Sequence, residues 1–183
     1  MSLGADDAAK LESLHVAASG IAAATTTEAV YETAVTTAED VLEFDVCGVF
    51  VHREGELVPV TQTDPAAPLQ PYEDTRGVLG RTFQMGESIL VGEATAHSQA
   101  EPADDSFRSG VSVPIGETGV LQAISAEPHY YDETDLELAE LLAIHVTEAV
   151  TRIRSERDLR ESKRKIERLH AVATSLETCT DRE

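Results

Sequence analysis

The sequence predicts a mixed α/β domain of the α+β kind, about 150 residues in size. Three observations predict it: helical periodicity at both ends, two pairs of short apolar strands joined by tight turns between them, and two long stretches with no period at all. Short turns make each strand pair an antiparallel hairpin.

Residues 6–23 carry Leu11, Leu14, Ala18 and Ile21 on one stripe, the spacing of an amphipathic helix. Thr25 and Glu28 then form T-x-x-E, the capping box in which threonine accepts from the third amide and glutamate reaches back. The helix they open repeats Val30, Ala34, Ala38 and Val41, widened by Tyr31, Val35 and Leu42. Residues 46–52 are apolar on both alternations, as a strand covered on both faces should be. Residues 53–55 turn the chain into a second strand at 56–62. Three prolines between 63 and 72 mark a loop. In residues 77–85, Val78 and Leu79 stand one turn before Thr82 and Phe83, and Gly86 sits where a left-handed helix terminator belongs. A short strand at 88–91 leads into a second polar loop, 92–107. Strands at 111–115 and 119–126 follow, joined by Gly116-Glu-Thr-Gly119.

Asp132 or Thr134 caps a last helix that runs from about 135 towards 173 without glycine or proline. Its first seam is Leu138, Leu142, Val146, Ala149 and Ile153. A second seam, Leu159, Ser162, Ile166, Leu169, Ala173 and Leu176, keeps spacings of three and four. The step from Ile153 to Leu159 fits neither, so the heptad phase slips at 154–158. We read the helix as leaving the domain there as a coiled-coil connector, its stripe covered by an identical chain. The dimer and signal helices are therefore expected to use Leu14, Leu142, Val146, Ile153, Leu159, Ile166 and Leu169.

Residues 11–28 return at 166–183, with six of eighteen positions identical: Glu12/Glu167, Leu14/Leu169, His15/His170, Ala18/Ala173, Thr25/Thr180 and Glu28/Glu183. The expected organisation is a tail at 1–9, one folded domain at 10–153, a connector at 154–176 and the start of a truncated second repeat at 177–183.

The formal charge is −20, unevenly placed. Residues 152–168 hold eight basic and four acidic groups, leaving the remainder of the chain at −24. A body so negative repels nucleic acid and anionic lipid, so neither is expected as a partner. No run of 18 apolar residues exists to span a bilayer, and two distant cysteines, Cys47 and Cys179, make no disulfide framework or metal spacing. A cytoplasmic location is expected.

The ordered elements resemble the GAF domain, a small-molecule-sensing and dimerisation module of signalling proteins. Four segments carry the resemblance across residues 10–153: DVCGVFVHREGEL, RGVLGRTFQMGESILV, SGVSVPIGETGVLQAISAEP and YYDETDLELAELLAIHVTEAV. It implies a GAF-like antiparallel central sheet of five to six strands flanked by helices, with the long first and last helices packed together on one face. The opposite face, under the two loops, would hold a ligand pocket. Within the family, the acidic composition and the helical lead into another copy resemble tandem sensor proteins of halophilic archaea.

Long structureless loops in a compact domain usually serve function, and the pocket candidates on that side are Tyr72, Phe83, Met85, His97, Phe107 and Arg108. Arg108 would either pair with an anionic ligand or form a salt bridge with Asp104 or Asp105. The six histidines form no H-x-H, H-E-x-x-H or Cys/His cluster, so no metal site is expected, and no P-loop or G-x-G-x-x-G occurs. Family patterns for specific ligands are also incomplete. Cyclic-nucleotide binders carry an N-K…F…D-E signature absent from SAEPHYYDETD, bilin binders a Cys beside a His that Ala96-His97 lacks, and reductases of free methionine sulfoxide several cooperating cysteines. The cofactor is therefore left unknown. The expected role is a non-enzymatic regulatory module: a homodimer that senses an unidentified small molecule and passes the change through its connector. The alternatives are a ligand-free dimerising spacer and a small redox enzyme using Cys47.

Overall fold

The computed structural model describes residues 5–63, 69–96 and 107–180; within the helices, the side chains at 5–8, 169 and 171–180 lie outside that description. Helices α1 (Ala5–Ala23) and α2 (Thr27–Asp40) precede the hairpin β1 (Val46–Arg53) and β2 (Glu56–Gln62). The two-residue strand β3 (Tyr72–Glu73), helix α3 (Gly77–Met85), strand β4 (Ile89–Val91) and a single 3-10 turn at Ala94–Ala96 come next. The second hairpin, β5 (Ser109–Ile115) and β6 (Gly119–Ser125), is followed by α4 (Glu133–Thr180). At 48 residues, α4 extends about 72 Å.

All pairings are antiparallel, in the order β3-β2-β1-β6-β5-β4. The central pair joins strands far apart in sequence, with Cys47 opposite Ala123 and Phe50 opposite Val120. Helices α1, α2 and α4 pack together on one face. Alternation along the strands sends Cys47, Val49, Val51, Val111, Val113, Leu121 and Ala123 to that face. There they meet Leu14, Ile21, Val30, Ala34, Ala38, Leu142, Val146 and Val150 in the main core. Arg152 fastens the assembly by donating to the carbonyls of Ala22 and Ala24 at 3.0 and 2.8 Å, which satisfies the open end of α1.

Local chemistry differs from the expected reading in three places. The cap of α2 is Thr26, whose hydroxyl accepts from the Ala29 amide at 3.2 Å; Thr25 lies one residue too early, which removes Glu28 from the reciprocal position. Reciprocal capping occurs instead at α4, where Asp132 accepts from the amides of Thr134 and Asp135 while Asp135 accepts from the Asp132 amide. The stretch read as a loop before α3 contributes β3, because Leu57 and Tyr72 pair across the sheet edge. The αL terminator at Gly86 is present, with φ 65°.

The expected inter-chain residues divide sharply. Leu14, Leu142 and Val146 are fully buried within the single chain, and Ile153 is half-buried against the same core. Leu159 and Ile166 stand 71% and 55% exposed. Leu169 lies outside the described side chains. Through the phase slip α4 remains one continuous helix, with Glu156 bridging Arg152 and Arg160 at i±4. Among the described residues, no helix is long and apolar enough to cross a membrane.

Candidate functional site

The sheet face away from the main core is set by strand parity. Gly48, Phe50 and His52 of β1 share it with Val120 and Gln122 of β6, Ser112 of β5 and Leu57 of β2. Helix α3 lies over this face, and Phe50, Leu57, Leu79 and Val120 form a second, smaller core with Leu69, Tyr72 and Phe83 at its margin. Gly48 leaves room for the Leu69 side chain, whose backbone amide donates to Gln62 Oε1 at 2.9 Å; a Cβ there would displace the Leu69 methyl and press on the Thr61 carbonyl at 3.2 Å.

The turn before α3 carries the first polar element. The Asp74 amide donates to the Gly55 carbonyl at 3.1 Å, and Asp74 Oδ2 lies 2.8 Å from His52 Nε2. His52 also stacks on Phe83, with ring centroids 4.6 Å apart. Gly80 allows this turn to sit against the helix, because a Cβ there would meet the Asp74 carbonyl oxygen at 2.8 Å. Nearby, the Arg76 guanidinium lies 5.7 Å from the Tyr72 ring centroid.

Two hydroxyls in the layer between α3 and the sheet have no hydrogen-bond partner: Thr82 of α3 and Ser112 of β5, both essentially inaccessible. A buried hydroxyl without a partner costs roughly 1–3 kcal/mol.

Of the candidate pocket residues, Tyr72 and Phe83 belong to this cluster. Met85 is 53% exposed at the end of α3 and Phe107 is half-buried before β5. His97 lies outside the described residues, as do Asp104 and Asp105. Arg108 is committed to a different acid: its Nε and Nη2 donate to the two Glu93 oxygens at 2.8 and 2.5 Å. The hydrogen bonds from Arg108, assisted by Thr95, hold the Glu93 carboxyl down at about 2. His52, Asp74, Thr82 and Ser112 were missed. The sequence signal for His52 was its parity with Gly48 and Phe50; Asp74, Thr82 and Ser112 carry none beyond their polarity.

Cys47 points the other way, into the main core, fully buried, with desolvation pushing its thiol up to about 12. Among the described residues, no group of three His, Cys, Asp or Glu side chains could hold a metal ion.

The GAF domain family profile matches residues 24–151, most of the chain. The chain belongs to the GAF family. Among solved structures, this GAF domain is similar to free methionine-R-sulfoxide reductase from Neisseria meningitidis, solved in complex with its substrate. The two are 23% identical with a TM-score of 0.76, over 85% of this chain and 96% of that one. It is likewise similar to the GAF domain of a phosphoenolpyruvate-protein phosphotransferase from Coxiella burnetii, 20% identical with a TM-score of 0.72, covering 83% and 98%. A methyl-accepting chemotaxis protein fragment follows at 20% identity and a TM-score of 0.62, covering 78% and 98%. No curated protein matches. These neighbours correct one expectation: the fold is shared by reductases that are enzymes, so the assignment of this GAF domain as non-enzymatic is not supported.

Proposed function

We propose that this GAF domain binds a small polar molecule between α3 and the sheet, and that occupancy is communicated through α4. The observation that carries the binding half is the pair of buried, unpartnered hydroxyls at Thr82 and Ser112. The His52–Asp74 pair beside Phe83 supplies further polar and aromatic recognition at the same face. The communication half rests on α4 packing against α1, α2 and β5 before continuing beyond the domain. The sensory reading also draws support from a chemotaxis protein among the fold neighbours. We further propose a homodimer through Leu159 and Ile166, whose exposed apolar side chains require cover, and a tandem arrangement on the strength of the eighteen-residue repeat.

The test of binding is native mass spectrometry of the chain purified from its own host. A co-purifying small molecule is expected, and it should be lost from the Thr82→Val/Ser112→Ala variant. Absence of any adduct, or an adduct that persists in the variant, defeats the proposal.

A reductase reading is favoured by one observation, the similarity to the free methionine-R-sulfoxide reductase. Cys47 is not positioned to serve it, since a thiol that stays protonated in the core is a poor nucleophile. Reductase chemistry here would need another nucleophile. Turnover of free methionine sulfoxide, measured for the wild type and for Cys47→Ser, should be equal; a loss confined to the variant would return Cys47 to the mechanism.

A further inference from the structure

A cavity of about 550 Å³ lies between α2, the β1–β2 hairpin and α4, sharing only His52 with the residues described under α3. Its lining is Thr27, Glu28, Tyr31 and Glu32 of α2; Val51, His52 and Arg53 of β1; Pro59, Val60 and Thr61 of β2; and Arg154 of α4. The volume is that of a small-molecule site.

Its charged lining residues, Glu28, Glu32, Arg53 and Arg154, are solvent-exposed, whereas Tyr31 is buried. Tyr31 is 94% buried, yet its hydroxyl has no hydrogen-bond partner. Arg53 and Arg154 form no ion pair with any described residue, although Glu28 and Glu32 line the same cavity and the chain as a whole is strongly acidic. Among the described residues, Arg154 donates to the Thr118 hydroxyl alone, at 3.0 Å. Burial raises the Tyr31 hydroxyl above its ordinary range, and the charge of Arg154 works against that rise, with Glu28 and Arg53 acting less.

We infer that this cavity is a binding site for a small zwitterion, specifically a free α-amino acid with an apolar side chain. The two guanidiniums and the Tyr31 hydroxyl form a donor set suited to a carboxylate. Glu28 and Glu32, four residues apart on one face of α2, accept an ammonium group. They also exclude simple anions, which would gain at the arginines and lose at the glutamates. Val51, Pro59 and Val60 supply the apolar wall for the side chain. Because Arg154 belongs to α4 at the phase slip, occupancy ties the exit helix to α2 and β1. This site is separate from the Thr82/Ser112 site and stands or falls independently of it.

The test is a backbone-amide NMR titration of the full chain with L-leucine, N-acetyl-L-leucine and L-leucine methyl ester, which remove the cation and the anion in turn. Leucine is expected to shift the amides of residues 27–32, 51–53, 60–61 and 154 saturably, while the two derivatives leave them unmoved. No saturable shift with leucine, or equal shifts with either derivative, overturns the inference. Shifts confined to 79–83 and 110–113 also overturn it, and would report the α3 site instead. Tyr31→Phe provides the second arm. It should weaken leucine binding about three- to tenfold, the value of one hydrogen bond, while leaving the ligand-free protein at least as stable. Unchanged affinity in that variant counts against the site.

Discussion

Gly80 decides whether the turn bearing Asp74 can sit against α3, and its replacement by alanine makes the dependence measurable. The added Cβ would lie 2.8 Å from the Asp74 carbonyl oxygen and 2.9 Å from the carbonyl carbons of Asp74 and Thr75, all backbone atoms that cannot rotate away. Alanine improves helix propensity by about 1 kcal/mol over glycine, whereas overpacking of this kind costs about 1–3 kcal/mol. Gly20→Ala is the matched control. It too lies within a helix, but its Cβ would meet only a Thr33 methyl at 3.9 Å, an ordinary contact. The propensity gain therefore cancels between the two variants and their difference isolates the steric cost, about 1–3 kcal/mol. At roughly 2–4 °C per kcal/mol for a protein of this size, Gly80→Ala should melt about 2–12 °C below Gly20→Ala. The contact between the His52 and Phe83 rings, read as a nuclear Overhauser effect, should be lost in Gly80→Ala alone. If the two variants melt together, or Gly80→Ala melts higher, the steric account of this turn is wrong.

In a Cys179→Ser background, Cys47 should react with a thiol-specific disulfide reagent only as fast as the protein unfolds, because the thiol is fully buried; rapid labelling of that native variant would contradict its placement. Cys47 ionises at about 12 when folded against an ordinary 9.0, so the unfolded chain releases its proton first and stability should fall as pH rises above about 9. Urea midpoints of Cys47→Ala across that range should fall less steeply, while Tyr31 and Tyr131, raised in the same direction, keep part of the slope. Glu93 has the opposite sign: held at about 2 against 4.5, it contributes stability above 4.5 that is lost as pH falls towards 2. Glu93→Gln should flatten that acid limb in urea titrations. Leu159→Glu combined with Ile166→Glu should convert a dimer into a monomer by sedimentation velocity without lowering the melting temperature of the domain; a wild-type monomer would remove the basis for the proposed seam.

Much of the fold was legible because helix and strand periodicities are local. The stripe through Val30, Ala34 and Ala38 identified α2 and its buried face, and Gly86 identified the end of α3. The short strand β3 was not legible, since two residues directly after a proline-rich stretch carry no period, and they pair across the sheet edge with Glu56 and Leu57. The candidate site was read less well. Tyr72 and Phe83, named for their aromatic character, pack at the margin of the small cluster under α3, whereas the partner of Arg108, Glu93, lies 15 residues away across a loop and no local spacing points to it. Thr82 was counted as one more residue of an amphipathic helix, and only its complete burial marks it.

The sequence by itself determined the kind and order of the elements apart from β3, the apolar stripes that fill the main core and the family. Each follows from spacings within one segment, or from segments taken in order. Tertiary structure alone decided that β1 pairs with β6, seventy-odd residues distant, and therefore which parity of β1 faces α3 and which faces α4. From that single choice follow the burial of Cys47, the meeting of His52 with Asp74, the layer holding Thr82 and Ser112, and the cavity that Tyr31 lines together with Arg53 and Arg154. These arrangements join residues on different elements. The energy that sets them is shared burial across the sheet, which no local period records.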